Sequence, residues 1–244
     1  MPIKVSPVAG SRFYIGSAPV DVPDTDVTEA DFSAVTWIEV GQYETMGNSG
    51  DSAQGNTVNL LNRRRTYNWK GSRQAPQRSD NFALNTSDPG QLAMIAAEAT
   101  DFNYPFKVEL NGAPIPKSAT AIITIASPGV VTWTGHNLAA NTAVKFSTTG
   151  ALPTGLTAGT SYYVKTVLDA DTFTLSATKG GPVIATTGTQ SGTHTATTIP
   201  SGPQRLFMGQ VLAAEEGMGG ANNAQMLNCT VLPNTNYARA AALG

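Results

Sequence analysis

The chain has 244 residues, enough for one large or two small domains with a real core. Only 13% of its residues are charged and the net charge is −2, which excludes a surface that grips nucleic acid through basic charge and suggests one that a partner covers. The single cysteine, Cys229, excludes an intrachain disulfide, and no apolar run approaches the ~18 residues of a membrane span.

The opening Met-Pro-Ile-Lys-Val-Ser-Pro lacks the apolar core of a signal peptide, so synthesis and folding in a cytoplasm are expected. Residues 11–18 read as a short strand, and residues 19–34 as acidic, Pro-punctuated and irregular. Residues 35–44 read as a strand. Residues 45–56 hold three glycines and two apolar side chains, which predicts a long loop. Residues 57–71 read as the returning strand. By period two, Leu61, Tyr67 and Trp69 share one face and Asn62, Arg64, Thr66, Asn68 and Lys70 the other, so one face is expected to be buried and one wet. Arg63 and Arg65 interrupt the apolar face midway; a bulge or a protein contact would each account for them.

Residues 88–100 predict a helix. Asp88 or Ser87 can cap it, Pro89 suits its first turn, and Gln91 completes a capping pattern. Leu92, Ile95, Ala96 and Ala99 would then form the stripe laid on a sheet. Residues 104–110 read as a strand ending at the turn signal Asn111-Gly112. Residues 205–214 and 225–232 predict a hairpin around a glycine-rich loop, Glu215–Asn223, with Leu227, Cys229 and Val231 on one face. Residues 121–197 differ from the rest: Thr, Ala and Gly dominate, and short apolar runs recur at 122–126, 130–134, 143–147, 161–167 and 172–176. Flanked by the Pro-containing joints 112–117 and 199–203, this stretch is expected to be a separate all-β module inserted into a host domain of residues 1–120 and 198–244.

Charge is segregated. Residues 21–51 hold eight acids, including Asp24, Asp26, Glu29, Asp31 and Asp51, and no base; residues 63–78 hold six bases, Arg63, Arg64, Arg65, Lys70, Arg73 and Arg78, and no acid. Two solvated faces, or pairing within the monomer, account for this as well as complementary patches on successive copies do. Head-to-tail docking of two such patches builds rings or filaments.

Residues able to carry catalysis are sparse. His136 and His194 lie in turn-like or Thr-rich surroundings and could join Asp169 or Asp171 in a Ser/His/Asp set, but such sets arise by chance in a Ser-rich chain. Cys229 reads as a small buried hydrophobe. No Cys/His spacing suits zinc, Asp169-Ala170-Asp171 lacks the further ligands of a calcium loop, and the glycines of 217–220 do not make a phosphate loop. No enzyme activity, metal or cofactor is expected. Arg63-Arg64-Arg65 could touch DNA, but an interface role is favoured over stable binding.

Trp37-Ile38-Glu39-Val40-Gly41-Gln42-Tyr43-Glu44-Thr45-Met46-Gly47-Asn48, then Gly50-Asp51-Ser52 and Thr66-Tyr67-Asn68-Trp69-Lys70-Gly71, resemble the tube subunits of long, non-contractile bacteriophage tails. Met208-Gly209-Gln210-Val211 and Cys229-Thr230-Val231 fit the same pattern. The resemblance covers residues 1–120 and 200–244 and rests on the order of elements. It implies a mainly-β fold, a β-sandwich with one flanking helix. Rings of six would stack into a hollow tube that conducts DNA from the virion into the host. It implies that residues 35–44 and 57–71 line the lumen, with Asn62, Thr66 and Asn68 toward water. The loop carrying Thr45, Met46, Asn48, Asp51, Gln54 and Asn56 would reach the next ring. Separately from the resemblance, the complementary-patch reading of the charge pattern would set Asp24, Asp26, Glu29 and Asp31 against Arg63, Arg64, Arg65 and Arg73 across subunits. The implied partners are further copies, a tape-measure protein, and terminator and tip proteins, with only transient passage of DNA and no membrane insertion; assembly would occur in the bacterial cytoplasm.

The insert resembles a small β-module, Ig-like or barrel-like, of phage virion proteins. The similarity lies in Thr134-Gly135-His136-Asn137-Leu138-Ala139-Ala140-Asn141, Phe146-Ser147-Thr148-Thr149-Gly150-Ala151-Leu152-Pro153, Tyr162-Tyr163-Val164 and Asp171-Thr172-Phe173-Thr174-Leu175-Ser176. By analogy it would project outside the tube. Two other classes are open: a decoration or glycan-binding protein using Trp133, Tyr162 and Tyr163 as stacking faces, and a secretion-system tube of similar fold.

Overall fold

The structure, a computed structural model, describes residues 7–220 and 222–244. The opening residues 1–6 and Ala221, in the expected glycine-rich loop, lie outside the described residues. In chain order the elements are β1 (Arg12–Gly16), a 3-10 turn (Glu29–Phe32), β2 (Trp37–Val40), β3 (Tyr43–Thr45), β4 (Ser52–Val58), β5 (Tyr67–Gln74), β6 (Arg78–Ala83), α1 (Pro89–Glu98) and β7 (Tyr104–Glu109). There follow β8 (Ser118–Ile123), β9 (Val130–Thr132), β10 (Ala143–Thr148), β11 (Ser161–Val167), β12 (Thr172–Ser176) and β13 (His194–Ile199), then β14 (Gln204–Gly217), β15 (Met226–Pro233) and β16 (Ala238–Ala240). The protein is mainly β with a single α-helix among the described residues. It divides into two compact units, Ser11–Val108 with Arg205–Arg239, and Glu109–Gln204 with residues 7–10 and 240–244. The second unit is thus wider than 121–197, and residues 7–10 and 240–244 belong to it.

The first unit is built on one eight-stranded sheet in the order β2-β1-β7-β14-β15-β6-β3, with β16 on β14. Alternation makes its core. Along β15, Leu227, Cys229 and Val231 are buried and the residues between are half-buried. β14 runs to Gly217, so Glu215 and Glu216 belong to a strand rather than to the expected loop. The sheet curls on itself, because Phe13 of β1 packs on Tyr43 of β3 and Phe82 of β6 with ring centroids 5.7 and 5.8 Å apart, although these strands stand far apart in sheet order. Phe106 stacks on Phe207 at 5.1 Å and Phe207 meets Tyr237 at a tilt, centroids 4.7 Å apart, completing an aromatic core. Each buried ring contributes about 1.5–3 kcal/mol.

Helix α1 is capped as its sequence predicts: Asp88 accepts from the Gln91 amide at 2.8 Å and Pro89 opens the first turn. Its buried face is different. Gly90, Gln91, Met94 and Ala97 face inward, and Leu92 is exposed. The expected stripe is displaced because Gly90 lets the helix start lie directly on β2; an added Cβ would stand 2.1 Å from the Glu39 carbonyl oxygen. Gln91 does not close a capping box. Its amide donates to the carbonyls of Gly41 and Ala83 and its oxygen accepts from the Asn85 N–H, so it satisfies backbone that the helix would otherwise strand.

The second unit is a closed six-stranded barrel, β10-β11-β12-β9-β8-β13. Closure leaves no exposed sheet edge. Val144, Phe146, Val164, Phe173 and Leu175 fill the interior with Trp133 and Tyr162. The first expected run, 122–126, is displaced to β8. β13 went unpredicted because its inward residues are His194, Ala196 and Thr198, which show no apolar periodicity. They pair with β10 and β8 instead.

Candidate functional site

The segment that differs most from expectation is the hairpin β4–β5, a two-stranded sheet apart from the main one. Residues 45–56 are not one loop and 57–71 not one strand: β4 starts at Ser52, and residues 59–66 turn back to β5. The first five residues of β4, Ser-Ala-Gln-Gly-Asn, carry no strand signal of their own, and only Thr57 and Val58 favour a strand. The segment is extended because it pairs with β5, Val58 opposite Tyr67 and Asn56 opposite Trp69, with a bulge between Ala53 and Gly55. Opposed residues share a face, so Val58, Tyr67 and Trp69 form a largely apolar face that also carries Asn56, while Thr57, Asn68, Gly55 and Lys70 form the other. Nearly every hairpin residue is exposed; Tyr67 and Trp69, stacked on each other, are 55% and 45% exposed.

Leu61, Asn62, Arg63, Arg64, Arg65 and Thr66 therefore lie in the turn and not on a strand face. That is why the arginines break the alternation. The turn is held by the Arg63 amide on the Leu60 carbonyl at 3.0 Å and the Thr66 hydroxyl on Asn59 Oδ1 at 2.8 Å. The three arginine side chains are exposed and form no ion pair among the described residues. Of the residues expected toward a lumen, only Asn68 sits on the polar strand face. Of those expected to reach a next ring, Thr45 closes β3, Met46, Asn48 and Asp51 lie in the strap leading to the hairpin, and Gln54 and Asn56 are on β4.

At the hairpin root lies a charged cluster that sequence reading missed. Arg78 and Asp80, 1% and 0% exposed, alternate with Phe82 on the buried face of β6. Arg78 Nε and Nη2 each donate to an Asp80 oxygen at 2.6 Å. Nη1 donates to Ser49 Oγ at 2.8 Å, and Nη2 also faces the Gly47 carbonyl and the Tyr43 hydroxyl at 3.4 Å. Tyr43 and the Gly47 amide donate to Asp80 Oδ1 at 2.5 and 2.8 Å. The guanidinium lies over the rings of Phe13 and Phe207. Burial alone would lower the Arg78 pKa, but Asp80 outweighs it and holds Arg78 above the ordinary value. Burial, then the Asp80 charge, raises Tyr43. Arg78 is thus not part of a surface basic patch. Opposite charges two apart in a strand with Phe82 were the available signal.

Beside the root is a cleft of about 360 Å³ lined by Pro23–Asp26, Asp51, Arg73–Ala75 and Pro233–Asn236. It brings together Asp24, Asp26, Asp51 and Arg73. Asp51 Oδ1 is buried with no hydrogen-bond partner among the described residues. Asp31 is not at this cleft. It accepts from the Thr28 amide and hydroxyl at 2.7 and 2.9 Å, which caps the 3-10 turn and lowers its pKa, while Glu29 stands in the same turn.

The other candidates have structural surroundings. His136 is buried, accepts from the Leu138 amide at 2.9 Å and meets Phe173 edge-on. His194 pairs with Thr148 Oγ1 at 2.8 Å and Gln190 Oε1 at 3.1 Å, not with a carboxylate. Asp169 accepts from the backbone of Asp171 and from Thr172, a turn that lowers its pKa, and Asp171 accepts from the Gly135 amide. Cys229 is buried, and burial with the Asp80 charge pushes its thiol up to about 12. Trp133 and Tyr162 are core residues, so they offer no stacking face; Tyr163 is half-buried. Among the described residues no three His, Cys, Asp or Glu side chains are grouped to hold a metal ion, and no helix is long and apolar enough to cross a membrane. No protein-family model matches the chain, and neither does any curated protein.

Proposed function

We propose that this chain is a non-catalytic, self-assembling subunit of a bacteriophage tail tube, and that the β4–β5 hairpin is its assembly surface. The observation that carries this is the hairpin's exposed apolar face. A lone two-stranded hairpin is marginal in water, and Val58, Tyr67 and Trp69 lie open on its face, with Leu60 and Leu61 open in its turn. An exposed apolar patch on a β-ribbon marks a protein–protein contact. The resemblance of residues 37–52 and 66–71 to tail tube subunits names the assembly: stacked rings of six around a channel for DNA, in the virion tail. Tape-measure, terminator and tip proteins are the further partners.

Charge complements this reading. Seven residues at ~3.3 Å each carry the Arg63–Arg65 turn roughly 23 Å from the root, so it cannot fold back into its own cleft. A second copy can supply that turn to the cleft of Asp24, Asp26 and Asp51, a head-to-tail contact. In this arrangement the polar face with Asn68 is left toward a water-filled channel.

The test is negative-stain electron microscopy of the purified protein, alone and with tail seeds, beside Tyr67→Ser/Trp69→Ser. Tubes or stacked rings from the wild type and only monomers from the variant are expected. Monomers from the wild type under both conditions would overturn the proposal. Copy number and location in purified particles separate a phage tail from a secretion-system tube.

A further inference from the structure

We propose that Arg78, Asp80 and Tyr43 form a latch that sets the direction in which the hairpin leaves the sheet, making Arg78 and Asp80 positioning residues for assembly. The assembly part rests on the hairpin being the contact surface proposed above; the latch itself does not.

The cluster ties both limbs of the hairpin at one point. The second limb ends at Gln74 and reaches β6 at Arg78 after three residues, 75–77. The first limb arrives through residues 46–51, which belong to no strand. Three atoms of that strap, the Gly47 amide, the Gly47 carbonyl and Ser49 Oγ, are held by Asp80 or Arg78. Regular pairing resumes only at Ser52 opposite Gln74. The side chains therefore replace a backbone ladder where the chain leaves the sheet.

Stability alone does not account for charges here. A buried ion pair is often no more stabilising than apolar residues of the same size, because desolvation offsets the attraction. What an apolar replacement cannot do is hold the strap's amide, carbonyl and hydroxyl at once. The guanidinium fork has fixed geometry and its position is set by Phe13 and Phe207, so it transmits a direction as well as a contact. Gly47 fits the same account. A Cβ there would stand 2.6 Å from the Ser79 carbonyl oxygen, so only glycine lets the strap lie this close to β6.

The test compares wild type, Gly47→Ala and the apolar replacement Tyr43→Phe/Arg78→Met/Asp80→Val. Hydrogen exchange of the Gly47-region and β15 amides is measured along with the sedimentable tube fraction. Gly47→Ala leaves the ion pair untouched and lifts only the strap. Both variants are expected to raise exchange across 46–51 at least tenfold, leave Cys229 and Val231 amides at wild-type rates, and cut tube formation at least tenfold. Unchanged strap exchange in the apolar replacement overturns the latch, and wild-type tube formation by both variants overturns its role in assembly. If the wild type itself forms no tubes, the exchange result still decides the latch and the assembly proposal alone falls.

Discussion

Arg78→Met isolates the cost of breaking the buried pair. Asp80 is fully buried, and without Arg78 its carboxylate keeps only the Tyr43 hydroxyl and the Gly47 amide. Removing one partner of a buried ion pair costs about 3–5 kcal/mol, a large part of a domain's ~5–15 kcal/mol. At ~1.4 kcal/mol per tenfold, the population of the opened sheet should rise by about two to nearly four powers of ten. The reporter is built in: Cys229, the chain's one cysteine, lies directly opposite Asp80 in the β15–β6 register and is buried. Its labelling by excess thiol reagent in native buffer tracks opening when closing outpaces labelling. Replacing the whole cluster, Tyr43→Phe/Arg78→Met/Asp80→Val, removes the stranded carboxylate and should label at least tenfold more slowly than Arg78→Met. An acceleration below tenfold in Arg78→Met, or equal rates in the two variants, would refute the reasoning.

Three further outcomes are expected. Gly90→Ala places a Cβ against the Glu39 carbonyl and should cost about 1–3 kcal/mol, lowering the thermal midpoint by roughly 2–4 °C for each. Phe146→Ala empties part of the barrel core and should cost about 3–5 kcal/mol, read through Trp133, which packs in the same cluster. Alkali should destabilise the fold. The Cys229 thiol sits at about 12 against an ordinary 9.0, so the unfolded chain loses that proton first; its stabilisation is complete below pH 9 and is lost as pH rises toward 12. The raised Tyr43 acts in the same direction above its ordinary 10.0. Urea midpoints from pH 8 to 11 check this, and Cys229→Ala should flatten the profile.

The parts of the fold legible in the amino-acid sequence are those decided within a few residues. Alternation placed Leu227, Cys229 and Val231 inward, Asp88 and Pro89 marked the helix start, and regular apolar runs separated by turns announced a β-module between 121 and 197. What local pattern could not decide was set by contacts distant in sequence. Residues 52–56 have no strand character and became part of a strand only through their register with Tyr67–Gln74. The helix face was chosen by Gly90 resting on β2 and not by the apolar stripe. Arg78, one of the six bases of residues 63–78, is buried because Asp80, Tyr43, Ser49 and two phenylalanine rings converge on it from four other segments and its own strand. Burial of a charge depends on the sum of its partners, and those partners meet only when the sheet has curled.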